Sequence, residues 1–375
     1  MRENPLLRVV GFGQSIWLDF LSRSMLISGE LVSLIQEDGV TGVSSNPAAF
    51  DMAIAGSSDY DDAITELAHQ GLSAGEIYQM LVLDDIRMAA DLLRPLYDRL
   101  DGSDGYVSLE VSPHLAHDSL ATLQEARRLW ELVNRPNLLI KVPGTWEGLA
   151  AIRQLIREGV NVNVTLLFGL PRYRAVAGAY LDGLSERAAR GLPMERMTSV
   201  ASFFLSRIDV VVDPLLAKMA QDEGGVGRMA ASLRGETAIA CAKAARKLYR
   251  DLLSDDRYLA LAARGAHPQR LLWSSTGSED PGYSEVKYLE ALIGPDTVST
   301  VALETLVAYR DHGSPAPRLD QGLQEAPVSL SRLTELGIDL NAVTQQLEEE
   351  GVEELRRSFD SLICSIELKR AAALR

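Results

Sequence analysis

The chain has 375 residues and a formal net charge of −15, an acidic balance that excludes a protein holding nucleic acid through a basic face. Hydrophobic residues make up 46% and charged residues 24%, as in ordinary globular proteins, so disorder over the bulk of the chain is excluded as well. That length suits two average domains or one large barrel, and the two cysteines, Cys241 and Cys364, are too few for a disulfide framework.

No apolar run approaches the length of a membrane span, and the opening Met1-Arg-Glu-Asn-Pro5 lacks the apolar core of a signal peptide. The expectation is a cytoplasmic protein with reduced, structural thiols, no nucleic-acid partner and no membrane.

In chain order, the first apolar run, Ile16–Phe20, is followed by an amphipathic stretch, Met25–Glu37, and a second run, Gly42–Ser45. Ser73–Leu100 holds one or two helices, interrupted near Pro95, before the third run, Tyr106–Val111. Asp118–Val133, with Asp118 and Ser119 as candidate caps, sets Leu120, Leu123 and Ala126 on one face and leads into Leu138–Val142. Helical periodicity over Thr145–Glu158 separates that run from Val160–Leu167, and Arg172–Ala189 does the same before Ser199–Leu205. Asp209–Asp222 and Gly227–Leu253 read as separate helices around Gly224-Gly225, then come Leu271–Ser275 and Val298–Leu303.

Near-continuous apolar runs suit parallel strands covered on both faces. Alternation with helices implies right-handed βαβ units. Eight such units favour an α/β (β/α)8 TIM barrel over residues 1–313, with an open doubly wound sheet as the alternative. Residues 314–330 read as a loop and Ser331–Leu374 as helical, including the acidic run Glu348–Glu350. Residues 314–375 are therefore expected as a C-terminal loop and helices packed on or near the barrel mouth.

In such barrels the C-terminal strand ends surround the active site, so polar residues in or just after the apolar runs carry the information. These are Asp19, Asn46, Glu110, Lys141, Asn163, Thr165, Ser202 and Arg207. Lys141 lies between Ile140 and Val142, where desolvation disfavours the ammonium and favours the free amine that attacks a carbonyl. A strand-end lysine that pairs with a carboxylate or reaches solvent is the plainer account of any one such residue. Two carboxylates, a lysine, two asparagines and a threonine at successive strand ends exceed what one structural ion pair requires. Together they supply a nucleophile, proton carriers and donors for sugar hydroxyls.

Other signals are weaker. His114 and His117 have an i, i+3 spacing that could ligate a metal, but a surface loop entering a helix is the favoured account of them. Ser274-Ser-Thr-Gly-Ser278 follows the seventh run, where barrels often hold phosphate, and lacks any dinucleotide or Walker spacing. Trp17 and Trp146 adjoin candidate site residues and either shape a pocket or pack ordinarily.

Several stretches carry a resemblance to a known family: Gly13-Gln-Ser-Ile-Trp-Leu-Asp19, Ser44-Ser-Asn-Pro47, Val107-Ser-Leu-Glu-Val-Ser112, Leu139-Ile-Lys-Val-Pro-Gly-Thr-Trp-Glu-Gly148, Gly159-Val-Asn-Val-Asn-Val-Thr-Leu-Leu-Phe168 and Val200-Ala-Ser-Phe-Phe-Leu-Ser-Arg207. With Leu272-Trp-Ser-Ser-Thr-Gly277 and Gly294-Pro-Asp-Thr297, and in this order, they resemble transaldolase in its longer bacterial form, over the chain to about residue 312. The resemblance implies a transferase of the pentose phosphate pathway that moves a dihydroxyacetone unit between sugar phosphates without a cofactor. Lys141 would form the Schiff base, Asp19 would take the C4 hydroxyl proton, and Glu110 with Thr165 would hold the shuttling water. Asn46, Asn163 and Ser202 would bind substrate hydroxyls, and Arg207 would grip the phosphate.

The chain departs from that pattern at Glu279, near where the family usually offers a cation to the phosphate, and at Phe20, where a polar residue is usual. It also lacks the usual Thr-Ile after Pro47. Glu279 motivates a second reading, a Schiff-base aldolase of altered sugar or phosphate specificity. A metal-dependent aldolase built on His114 and His117, and a non-catalytic sugar-phosphate binding protein, are the remaining readings. Composition does not choose between monomer and homodimer.

Overall fold

The computed structural model describes residues 4–375, so the first three residues of the opening segment lie outside the described residues. Helix α1 (Pro5–Gly11) precedes β1 (Gln14–Leu18), and α2 (Arg23–Ser28) and α3 (Glu30–Glu37) lead to β2 (Val40–Ser44). Next come α4 (Pro47–Ala55), α5 (Asp61–His69) and the long α6 (Ala74–Arg99), then β3 (Tyr106–Glu110). Beyond a 3₁₀ turn at Pro113–Leu115, α7 (Ser119–Val133) precedes β4 (Leu138–Pro143), α8 (Gly148–Glu158) precedes β5 (Val162–Leu167), and α9 (Leu170–Ala189) precedes β6 (Ser199–Phe204). The next interval holds α10 (Ser206–Met219), α11 (Gly225–Leu233), α12 (Thr237–Leu253) and α13 (Asp256–Ala262) before β7 (Arg270–Ser274). The chain ends with α14 (Lys287–Ala291), β8 (Thr297–Val301), α15 (Leu303–His312), α16 (Glu325–Glu335) and α17 (Leu340–Ala373).

The eight strands close into a parallel barrel in sequence order, β1 pairing with β8. The expected TIM barrel is therefore observed and the open sheet is not. Strand alternation divides the residues. Ile16, Val107, Ile140, Val162, Ala201 and Leu271 join the large core beneath the helices. Trp17, Tyr106, Leu139, Val200, Leu272 and Val298 form a separate cluster that fills the lower barrel interior. Two residues further along each of these strands the interior turns polar, with Asp19, Ser108, Lys141, Ser202, Ser274 and Thr300, joined by Asn163 of β5. Backbone bonding carries β1 onward to this level, because the Asp19 amide donates to the Val301 carbonyl at 2.9 Å.

Several helices differ from the reading of the chain. Met25–Glu37 is two helices, because Gly29 takes a left-handed conformation (φ 83°) between them. Gly227–Leu253 divides likewise at Gly235, with φ 73°. By contrast α6 runs unbroken through Pro95: the ring removes one donor near the last turn, and the buried Leu93, Leu96 and Tyr97 hold the turn in place. Residues 325–330 are helical rather than loop, since Pro327 sits in the first turn of α16, where a missing N–H is tolerated. Helices α1, α4, α5, α13 and α14 were not anticipated.

Helix α17 lies across the barrel mouth and packs on α4, α5, α6 and α10. Polar ties fix it along its length. Arg172 of α9 pairs with Glu348 at 2.7 Å, and Arg207 of α10 pairs with Glu354 at 2.7 Å. His114 meets Asp360 at 2.8 Å, Asp51 of α4 accepts from Ser361 and Ser365, and Lys369 reaches Asp61 of α5 at 2.5 Å. Gly351 lets the helix approach β5 closely: a Cβ there would stand 2.9 Å from Leu166 Cδ2. Leu166 itself has φ 61°, a strained value for a leucine, at the point where the β5–β6 register shifts.

Candidate active site

Lys141 occupies the centre of the polar layer. Only 6% of it is exposed, because β4 is flanked by strands on both sides and the mouth is roofed by α17. Its Nζ donates to the Ser45 carbonyl at 3.3 Å and stands 3.6 Å from Glu110 Oε2. Glu110 is opposite Lys141 in the β3–β4 register, and Asn163 is opposite it on the β5 side. Neither Glu110 carboxylate oxygen has a hydrogen-bond partner.

Burial pushes the carboxyls of both Asp19 and Glu110 above the usual carboxylate range. The Lys141 ammonium opposes that shift in each, an Asn46 hydrogen bond also lowers Asp19, and the Asp19 charge raises Glu110 further. Two carboxyls and one amine thus share a dry pocket in which not all can be charged cheaply.

A cavity of about 190 Å³ opens over Lys141, bounded by Asp19, Asn46, Thr165 and Arg207. Thr165 Oγ1 is buried without a hydrogen-bond partner. Asn46 caps α4, its Oδ1 accepting from the Ala49 amide at 2.9 Å. Ser274 and Ser275 close the β7 side, the latter with φ 52°. The adjoining wall, at the ends of β5 and β6, pairs Phe168 with Phe204, ring centroids 5.2 Å apart.

Three of the residues singled out in the sequence lie just outside this cavity. Asn163 and Ser202 are fully buried beside it: Ser202 Oγ donates to Asn163 Oδ1 at 2.7 Å, and Asn163 Nδ2 donates to Ser108 Oγ at 3.1 Å. Glu110 adjoins Lys141 but faces a second cavity, of about 340 Å³, between α6, α7 and α17, lined by Tyr78 and Phe359.

Arg207 sits at the cavity edge between two carboxylates. Its Nη2 donates to both oxygens of Glu354, at 2.8 and 2.7 Å, and its Nε is 3.4 Å from Glu279. Glu279 also accepts from Ser206 Oγ at 3.2 Å. The carboxylate that departs from the family pattern therefore turns toward the arginine.

The other residues weighed in the sequence lie outside the cavity. Trp17 points to the far end of the barrel and donates from Nε1 to Asp104 at 2.9 Å, because strand alternation puts it one layer below Asp19. Trp146 is exposed and stacks on the Arg172 guanidinium, 4.0 Å from ring centroid to Cζ. Phe20 packs against the helical core rather than the pocket. His114 and His117 do not converge; His117 meets Glu147 at 3.3 Å while His114 meets α17. Among the described residues no group of three or more potential ligands could hold a metal.

Residues that the sequence reading did not single out come from α17: Leu347, Glu350, Gly351, Glu354, Leu355 and Ser358 all line the cavity. Among the described residues, no helix is long and apolar enough to cross a membrane.

A buried lysine amine with two neighbouring carboxyls, in the C-terminal mouth of a closed (β/α)8 barrel, defines an enzyme equipped for carbonyl chemistry. The family model described as Transaldolase/Fructose-6-phosphate aldolase matches residues 16–366. A protein of Thiobacillus denitrificans named Transaldolase is 48% identical over 354 residues, 94% of this chain and 97% of its own length. Transaldolase 2 of a Nostoc species is 45% identical over 374 residues, 98% of each chain, and a Transaldolase of Thermobifida fusca is 44% identical over 370 residues, 98% and 99%. The chain belongs to the transaldolase/fructose-6-phosphate aldolase family. The match extends past residue 312, where the sequence resemblance stopped, and takes in most of α17.

Proposed function

We propose that this enzyme transfers a dihydroxyacetone unit from sedoheptulose 7-phosphate to glyceraldehyde 3-phosphate, giving erythrose 4-phosphate and fructose 6-phosphate. The observation that carries the reading is the enclosed Lys141 amine beside Glu110, with Asp19 on the same cavity.

The amine of Lys141 adds to the C2 carbonyl of the ketose, and loss of water gives an iminium. Asp19 takes the proton of the C4 hydroxyl as the C3–C4 bond breaks, and the bonding electron pair passes into the iminium to leave an enamine on Lys141. The aldose phosphate departs. The enamine carbon then attacks the acceptor aldehyde, Asp19 returns the proton to the new hydroxyl, and water hydrolyses the iminium. Glu110 and Thr165, whose side-chain oxygens have no hydrogen-bond partner, hold the water that carries protons during formation and hydrolysis of the imine. Asn46, Asn163 and Ser202 fix the hydroxyl-binding side of the pocket, and Arg207 takes the phosphate. Residues 1–313 form the catalytic barrel and 314–375 the segment that covers its mouth.

Borohydride reduction in the presence of fructose 6-phosphate tests the reading. A three-carbon adduct on the Lys141 peptide is expected by mass spectrometry, and its absence there, with enzyme otherwise intact, rejects the mechanism.

A further inference from the structure

Arg207 is already paired within the protein. Nη2 is held by both oxygens of Glu354, and Nε faces Glu279 at 3.4 Å. A third carboxylate, Glu350, lies one turn earlier on α17 and lines the same cavity. A carboxylate that presents two oxygens to a guanidinium has the geometry with which a phosphate monoester would take the same donors. Bringing a dianion beside Glu350 and Glu354 while they stay in place would instead add like-charge repulsion.

Displacement is physically accessible. The Glu354 and Glu279 side chains are each 49% exposed, and half-exposed ion pairs are weak because solvent screens them. Glu354 can turn to water without dislodging α17, which keeps its ties at Glu348, Asp360, Ser361, Ser365 and Lys369.

We propose that Glu354 is a specificity-determining residue: its carboxylate competes with the substrate phosphate for Arg207, so that α17 sets how strongly the enzyme prefers phosphorylated over unphosphorylated sugars. This inference rests on the assignment of Arg207 to the phosphate made above. In the free enzyme Glu354 neutralises the guanidinium, and a phosphate must exchange with it rather than simply add. A sugar without phosphate leaves the pair intact and is indifferent to it. Glu279, on the other flank of Arg207, contributes less because it makes no hydrogen bond to the guanidinium.

The test compares wild type, Glu354→Gln and Glu350→Gln with fructose 6-phosphate and with free fructose as donors, and titrates inorganic phosphate into each protein calorimetrically. In Glu354→Gln the ratio of kcat/KM for fructose 6-phosphate to that for fructose is expected to rise roughly fivefold, mainly through KM, and inorganic phosphate to bind tighter by a similar factor. Glu350→Gln is expected to shift both by less than half as much. A ratio that stays level or falls in Glu354→Gln, or an equal change in both variants, overturns the proposal, because a purely structural role of α17 would weaken both donors alike. The phosphate titration needs no turnover. Tighter phosphate binding with no adduct on Lys141 would therefore sink the transaldolase reading while leaving the competition at Arg207 standing.

Discussion

Glu110 and Lys141 are register partners on adjacent parallel strands, and their charged ends stand 3.6 Å apart in a pocket that shuts out bulk water. Adjacent register makes their side chains emerge on the same face at the same height, so the pairing is fixed by the barrel and not by side-chain flexibility. In the proposed mechanism the fold thereby holds a proton carrier beside the amine. Glu110→Gln keeps the shape and removes the carrier. We expect kcat to fall by about 10²–10⁴ while stability to urea stays within about 1 kcal/mol of wild type, since the variant also relieves a carboxylate with no hydrogen-bond donor. Steady-state kinetics alongside equilibrium unfolding check both halves; a kcat within tenfold of wild type would remove Glu110 from the mechanism.

The pH profile follows from Asp19. Its carboxyl is raised by burial, so it stays protonated to a higher pH than a solvated aspartate near 4. In the proposed mechanism only the ionised form takes the C4 proton. Activity should therefore decline on acidification with a midpoint above the ordinary aspartate range, read from kcat/KM against pH. Glu110, raised by the same cause, adds to that limb. A midpoint at or below 4 contradicts the assignment.

Beside the cavity, Ser202, Asn163 and Ser108 form a buried hydrogen-bonded row. Ser202→Ala strands the Asn163 carbonyl oxygen away from water. The expected loss is about 1–3 kcal/mol of unfolding free energy, measured in urea, together with a higher KM as the asparagine loosens. No loss of stability would mean that Asn163 finds another donor.

Glu348 gives a stability prediction of definite sign. Burial pushes its carboxyl up to about 7, although Arg172 at 2.7 Å pulls the other way. A carboxyl raised on folding holds its proton in the native state where the unfolded chain has lost it. Its contribution is complete below the ordinary glutamate range and is lost as pH rises toward 7. Relative to Glu348→Gln, wild type should therefore lose ground between pH 4 and pH 8, by at most roughly 3 kcal/mol. Thermal melts of both proteins across that range check it, and a gap that widens in favour of wild type at high pH would reverse the sign.

The barrel was legible because its strands are apolar on both faces, and the few polar residues they carry had to be there for a reason. Lys141 and Glu110 stood out in this way. Asn163 and Ser202 stood out equally, although sequence could not tell that they bond to one another. Trp17 packs ordinarily, because it lies one interior level below Asp19 on β1. C-terminal helices at the barrel mouth were expected, but which α17 residues line the cavity was illegible for a different cause. Glu350 and Glu354 belong to an acidic helix surface indistinguishable, in sequence, from one facing solvent, and only the fold brings them over a site built some two hundred residues earlier. Breaks at Gly29 and Gly235 depend on a backbone angle that glycine permits without requiring.

The roof over the amine has a temporal consequence. In chain order all eight strands and Lys141 precede α17, so the barrel can close with the Lys141 amine still open to solvent before that helix docks. Enclosure of the amine arrives only when α17 docks, and a chain truncated ahead of Leu340 would carry Lys141 without its cover.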